Sequence, residues 1–145
     1  MNKKKLPHFI VIDDDPINNL ICRKNIENLF SDTDIQTFTD PQEGVNYICS
    51  QNDTSGEHNT ILFLDINMPI LSGWEVLDAL VACRDIVKSK FSIFILSSSI
   101  ATKDRQEADD YSIVKGFVVK PLTKPELQKC VSLTGFNTAK TSYPL

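Results

Sequence analysis

Short apolar runs alternate along this chain with longer segments of helical period. The runs HFIVID (8–13), DIQTF (34–38), TILFLD (60–65), FSIFILS (91–97) and GFVV (116–119) have strand length. Three of them are apolar on both faces, the pattern of central strands in a parallel sheet covered on both sides. Between them the spacing predicts helices over 16–30, 41–52, 72–87, 102–112 and 123–133. In the first helix, Ile17, Leu20, Ile21, Lys24, Ile26 and Leu29 leave an apolar stripe of the kind that faces a core. Asp15 followed by Pro16 makes a good N-cap and first helical position. Asp40 with Pro41 gives a similar start, and Thr123 with Glu126 reads as a capping box. Five consecutive strand–helix units predict a doubly wound α/β fold with right-handed crossovers. No internal repeat interrupts them. The polar stretch QNDTSGEHNT (51–60) reads as a loop and TGFNTAKTSYPL (134–145) as an unstructured tail.

Composition narrows the class without changing this picture. At 145 residues the chain has the size of one ordinary domain. Hydrophobic content of 41% and charged content of 23% indicate neither disorder nor a membrane span. The net charge is −4 and the 15 Lys and Arg are scattered, which argues against a nucleic-acid binder. The start MNKKKLPHFIVIDDD has a basic end and an apolar run, but the run is too short for a signal peptide and ends in acids. Export is rejected and a cytoplasmic location expected. Cys22, Cys49, Cys83 and Cys130 fall in four separate segments, with no CxxC pair and no His at metal-ligand spacing. They are expected to be reduced, partly buried small hydrophobes.

The chemistry gathers at strand ends. The stretch FIVIDDDPIN drives an apolar strand into three consecutive carboxylates, a repulsive arrangement unless a cation sits among them or they point into water. The other strands break in the same manner, into Asp65, Ser97 and Lys120. In an open parallel sheet those carboxyl ends share one edge, where ligands bind. Three convergent carboxylates suit a hard divalent cation such as Mg²⁺. One lysine and one hydroxyl beside them suit the oxygens of a phosphoryl group. Asp15, followed by Pro16, is expected only to cap the helix. Met68, Pro69 and Gly73 shape the loop after Asp65.

Four pieces, VIDDDP, LFLDINMPILSGWEV, FILSSS and GFVVKPLT, stand in this order at the ends of the right strands. In them the chain resembles the receiver domain of two-component response regulators. The resemblance implies a flavodoxin-like sheet of order 2-1-3-4-5, with a receiver over 7–133, a short extension at 1–6 and a tail at 134–145. It implies that Asp65 accepts a phosphoryl group from a phosphohistidine on a sensor histidine kinase or histidine phosphotransfer protein. Asp14 would ligate Mg²⁺ directly, Asp13 mainly through water, and the backbone carbonyl of Asn67 would complete the protein ligands with Asp65. Lys120 would pair with Asp65 and then with the phosphoryl oxygens, across a cis Lys120–Pro121 bond. Ser97 would donate its hydroxyl to the phosphoryl group, and Phe117 stands where the family has its switch aromatic. Asn67 and Ser99 would tune hydrolysis.

The chain leaves little room for a DNA-binding output domain, so a stand-alone module acting through protein contacts, on an unknown downstream partner and not on nucleic acid or membrane, is expected. The polar ATKDRQEADDYSIVKGF lacks the small Gly-Ala step common in the family before strand five, which leaves the output partner open. A second reading is a haloacid-dehalogenase-like Mg²⁺-dependent phosphatase, because Asp13-Asp14-Asp15 also satisfies an apolar strand followed by DxD. Asp13 would then be nucleophile and Asp15 the acid. That family needs an acidic pair on a strand after the lysine, and only Glu126 follows, on a predicted helix; nor would it explain Asp65.

Overall fold

Side chains alternate sides along the first strand, and this alternation sets the layering of the molecule. Phe9 and Val11 pack into one apolar cluster, whereas Ile10 and Ile12 pack into another, and all four are buried. The computed structural model describes residues 7–50, 59–83, 91–98 and 102–135. The elements follow in the order β1 (His8–Ile12), α1 (Pro16–Leu29), β2 (Ile35–Phe38), α2 (Pro41–Ser50), β3 (Thr60–Asp65), α3 (Gly73–Ala82), β4 (Phe91–Ser97), α4 (Thr102–Ala108), β5 (Val114–Val119) and α5 (Lys124–Leu133). All strand pairs are parallel, and the sheet order is β2-β1-β3-β4-β5. This is the doubly wound architecture expected from the alternating runs, in the flavodoxin-like strand order that the family resemblance implies. Among the described residues no helix is long and apolar enough to cross a membrane.

Apolar residues of α1 and α5 cover one side of the sheet. Phe9, Phe63 and Phe94 form a row there across β1, β3 and β4, with Phe9 and Phe63 stacked at 6.5 Å between centroids. Apolar residues of α2 and α3 cover the other side over Ile10, Ile12, Leu62, Leu64, Ile93 and Ile95. Central strands β3 and β4 are buried nearly throughout, as expected for a sheet covered on both faces.

Several expectations are corrected. Helix α1 buries only the later part of the predicted stripe: Ile26 is in the core and Leu29 packs against it, but Ile17, Leu20 and Ile21 are exposed, and Asn18, Asn19 and Cys22 are buried in their place. The helix is rotated because two asparagines have polar partners inside, described below. Helix α4 ends at Ala108 rather than at 112, since Asp109 and Asp110 place two acids at the negative end of the helix dipole. Strand β5 starts two residues early, at Val114, which pairs with Ile93 before an irregularity in register. A full capping box forms at α3, where Ser72 and Glu75 exchange bonds, while at α5 the Thr123 hydroxyl accepts from the Glu126 N–H.

The cysteines also differ from expectation. Cys49, in the last turn of α2, and Cys83, just past α3, are joined by a disulfide, whereas Cys22 and Cys130 are free and buried. Their Cα atoms lie 5.8 Å apart because α2 and α3 pack side by side, a proximity that sequence spacing does not reveal. The predicted extension at 1–6, most of the loop at 51–60, the end of the third predicted helix, Ser99 and the tail from 136 lie outside the described residues.

Candidate functional site

Asp13 stands one residue past β1, and its N–H donates to the Phe38 carbonyl at 3.0 Å, so the sheet ladder carries it into the interior. It has no exposed surface. A buried carboxylate needs several donors, and three are present. The Asp15 N–H donates to Oδ1 at 2.9 Å, the Asn18 side-chain amide donates to Oδ2 at 2.7 Å, and the Lys120 ammonium lies 2.7 Å from Oδ2. The next asparagine holds the backbone: the Asn19 amide donates to the Asp13 carbonyl at 3.0 Å and to the Phe38 carbonyl at 3.4 Å. Asp15 caps α1 by accepting from the Ile17 N–H at 2.9 Å, with Pro16 opening the helix, as its neighbours in sequence suggested.

Asp65 ends β3 and is 3% exposed. The Asn67 N–H donates to its Oδ1 at 3.1 Å, turning the following loop back over the carboxylate. The Gly73 N–H then reaches the Ile66 carbonyl at 3.2 Å, bringing the start of α3 so close that a Cβ on Gly73 would meet the Asp65 carbonyl oxygen at 2.8 Å. Lys120 follows β5. Its N–H donates to the Ser97 carbonyl at 2.8 Å, and its Nζ lies 3.6 Å from Asp65 Oδ2. The Lys120–Pro121 bond is cis. The Asn25 side chain of α1 donates to the Leu122 carbonyl at 2.6 Å and ties down the loop beyond it.

Residues from three strand ends therefore meet. Asp13, Asp14 and Asp65 each offer a carboxylate oxygen within 4.8 Å of the others, Asp13 and Asp65 buried and Asp14 exposed. Ser97 is fully buried at the end of β4, one residue beyond Leu96, the register partner of Asp65. Phe117 lies on β5 opposite Ile95, half-buried, with the Arg105 guanidinium 5.6 Å from its ring centre. Trp74 is half-buried on the second core cluster and stacks on Tyr111, whose hydroxyl donates to Asp78 at 2.7 Å.

Burial is the main force on Asp65. It pushes the carboxyl up to about 6, aided by the charge of Asp13 and opposed by the Asn67 N–H and Lys120. Burial works against the Lys120 ammonium, but Asp13 and then Asp65 outweigh it, and its pKa is raised. Burial likewise pushes the Cys22 thiol up to about 12, with the Asp13 charge adding to the effect, so this cysteine beneath the site is an inert thiol. Three carboxylates thus face one ammonium. The donor set is all oxygen, with one exposed member, and fits a small hard cation that keeps part of its water shell, as Mg²⁺ does.

The sequence pointed to Asp13, Asp14, Asp65, Ser97 and Lys120 as residues of one edge, and their ends do share that edge. The family resemblance implies that Lys120 pairs with Asp65; the two lie 3.6 Å apart, and Asp13 is a closer partner at 2.7 Å. Asn18 and Asn19 went unnoticed. Asn18 shares a four-residue spacing with Cys22 and Ile26, and all three are buried, whereas no local pattern marks Asn19.

The response regulator receiver domain family model matches residues 9–132. A two-component response regulator from Cytophaga hutchinsonii is 30% identical, with a TM-score of 0.76 over 90% of this chain and 97% of that one. A response regulator receiver protein from Dyadobacter fermentans is 21% identical, with a TM-score of 0.78 over 90% and 98%. Stress response regulator protein 1 of Clavispora lusitaniae is 32% identical over 78 residues, which are 54% of this chain and 38% of that protein, so the chain spans well under half of that relative. With the family matched over nearly the whole described sheet, and an acidic cluster from the ends of β1 and β3 meeting the lysine that follows β5, the chain belongs to the response regulator receiver family of two-component signalling.

Proposed function

We propose that this receiver takes a phosphoryl group onto Asp65 from a phosphohistidine, carried by a sensor histidine kinase or a histidine phosphotransfer protein, in a Mg²⁺-dependent reaction. The single observation that carries this reading is the meeting of Asp13, Asp14 and Asp65 with Lys120 at one sheet edge. Asp13, Asp14 and Asp65, with the Asn67 carbonyl, would hold the cation, which neutralises charge on the transferred group when bound. An Asp65 oxygen attacks phosphorus, the P–N bond to the histidine breaks, and its imidazole takes up a proton as the acyl phosphate forms. Lys120, already 3.6 Å from Asp65, stabilises the phosphoryl oxygens, so the rate comes from positioning and fixed charge. Ser97 donates its hydroxyl to the product, and Phe117 turns with that movement to switch a protein-contacting surface.

On this reading the unit is residues 7–133, a phosphoacceptor that promotes only its own phosphorylation and dephosphorylation, and its output is a protein partner. A cytoplasmic site of action belongs to the same reading; the Cys49–Cys83 bond weighs against it. The phosphatase alternative has less support. It needs Asp13 as nucleophile and Asp15 as acid, yet both Asp13 oxygens are engaged by donors and Asp15 caps a helix.

The test is incubation with MgCl₂ and either acetyl phosphate or a phosphorylated histidine donor, with the modified residue found by peptide mass spectrometry. Asp65 is expected to carry the group, and Asp65→Asn to remain unmodified. Label on Asp13, or full labelling of Asp65→Asn, overturns the proposal.

A further inference from the structure

We infer that Asn18 is a positioning residue for the cation site, acting through Asp13; this rests on the Mg²⁺ reading above. Asn18 sits on the inward face of α1 and is 6% exposed. A buried amide in a helix that leaves Ile17, Leu20 and Ile21 facing outward costs stability unless its hydrogen bonds are made. Its amide nitrogen makes one strong bond, to Asp13 Oδ2 at 2.7 Å, and lies 3.7 Å from Cys22 Sγ.

Asp13 Oδ2 is thereby shared between Asn18 and Lys120, while Oδ1 is held by the Asp15 N–H. These contacts come from the N-cap of α1, from α1 itself and from the residue after β5, and together they orient the carboxylate. Without Asn18, Oδ2 keeps only the ammonium, whose long flexible stem does not define a direction. The carboxylate can then follow Lys120 rather than stay aimed toward Asp14 and Asp65. Groups that orient a metal-binding carboxylate in this manner typically change affinity by about 10–100-fold when removed.

The test uses the whole chain in two measurements. In EDTA, urea unfolding of wild type, Asn18→Leu, Asp13→Asn and the double variant forms a cycle in which the two side chains are expected to be coupled. Asn18→Leu, close in volume, is expected to lower the unfolding midpoint in the Asp13 background and far less in the Asp13→Asn background. Titration calorimetry with MgCl₂ is expected to show an affinity loss of about tenfold or more for Asn18→Leu, with stoichiometry unchanged. Asn18→Ser, whose shorter hydroxyl does not span to Asp13, is expected to behave alike and serves if the leucine variant does not fold. Wild-type Mg²⁺ affinity in a folded Asn18 variant overturns the inference, and so does an affinity loss without coupling to Asp13. A wild-type protein that binds no Mg²⁺ overturns the parent reading instead.

Discussion

The Lys120 ammonium is paired to Asp13 at 2.7 Å, almost an ångström closer than its 3.6 Å approach to Asp65. The lysine therefore neutralises the carboxylate that has no solvent contact, and stands beside the proposed phosphoacceptor at a longer distance.

Removing that charge strands two buried carboxylates. Lys120→Met is expected to destabilise the protein by about 3 kcal/mol in EDTA, the typical cost of breaking a buried ion pair from one side. Mg²⁺ should restore part of this loss while phosphoryl uptake stays low. Urea unfolding with and without MgCl₂ measures it; a variant as stable as wild type in EDTA would show that the pair contributes nothing.

Asp65 makes the metal-free protein pH-sensitive. Folding raises its carboxyl from 3.8 to about 6, so folding favours the protonated form. Its contribution to stability is whole below about pH 4 and is lost as the pH rises through about 6. Asp65→Asn removes the dependence. In EDTA the variant should match wild type near pH 4 and exceed it by roughly 3 kcal/mol above pH 7. A constant difference across this range would mean that the carboxyl is not shifted.

Two glycines should respond differently to alanine. A Cβ at Gly73 meets the Ile66 Cα at 2.6 Å and the Asp65 carbonyl oxygen at 2.8 Å, both backbone atoms that cannot yield without moving the loop behind the acceptor. A Cβ at Gly44 meets the end of the Ile12 side chain at 2.6 Å, a group that can shift without moving that loop's backbone. Gly73→Ala should lose about 2 kcal/mol of stability and most phosphoryl uptake. Gly44→Ala should lower the melting temperature and leave uptake near wild type. Equal uptake in the two variants would contradict this account.

The Cys49–Cys83 link closes a loop with a sequence separation of 34. Loop-closure entropy for that length corresponds to about 3–4 kcal/mol. Non-reducing peptide mapping should find the two cysteines linked, and dithiothreitol should lower the melting temperature of wild type but not of Cys49→Ser. Free thiols at both positions in protein purified under oxidising conditions would exclude the link.

Much of the architecture is legible in the sequence, for simple reasons. β3 and β4 are apolar at nearly every position, and a stretch buried on both faces has to read that way. The strand-ending Asp13, Asp65, Ser97 and Lys120 stood out because each interrupts an apolar run, and a doubly wound topology takes such ends to one edge. Asp15 and Pro16 announced the start of α1 through chemistry confined to four neighbouring residues. Local pattern was less informative where partners came from elsewhere in the chain. The stripe Ile17–Leu20–Ile21 satisfied helical periodicity, yet α1 is turned to bury Asn18 and Asn19, since the donors Asp13 requires outweigh the apolar area left outside.

By itself, then, the sequence determined the βα alternation, the covered parallel sheet and the identity of the charged edge, because burial and capping act over a turn or a strand and leave periodic marks. Only the tertiary structure decided that Lys120 leans on Asp13, that two asparagines enter the core, Asn18 to hold that carboxylate and Asn19 its backbone, and that Cys49 meets Cys83. These depend on distances between segments far apart in the chain, and pairwise electrostatics and covalent geometry change steeply with each ångström of separation.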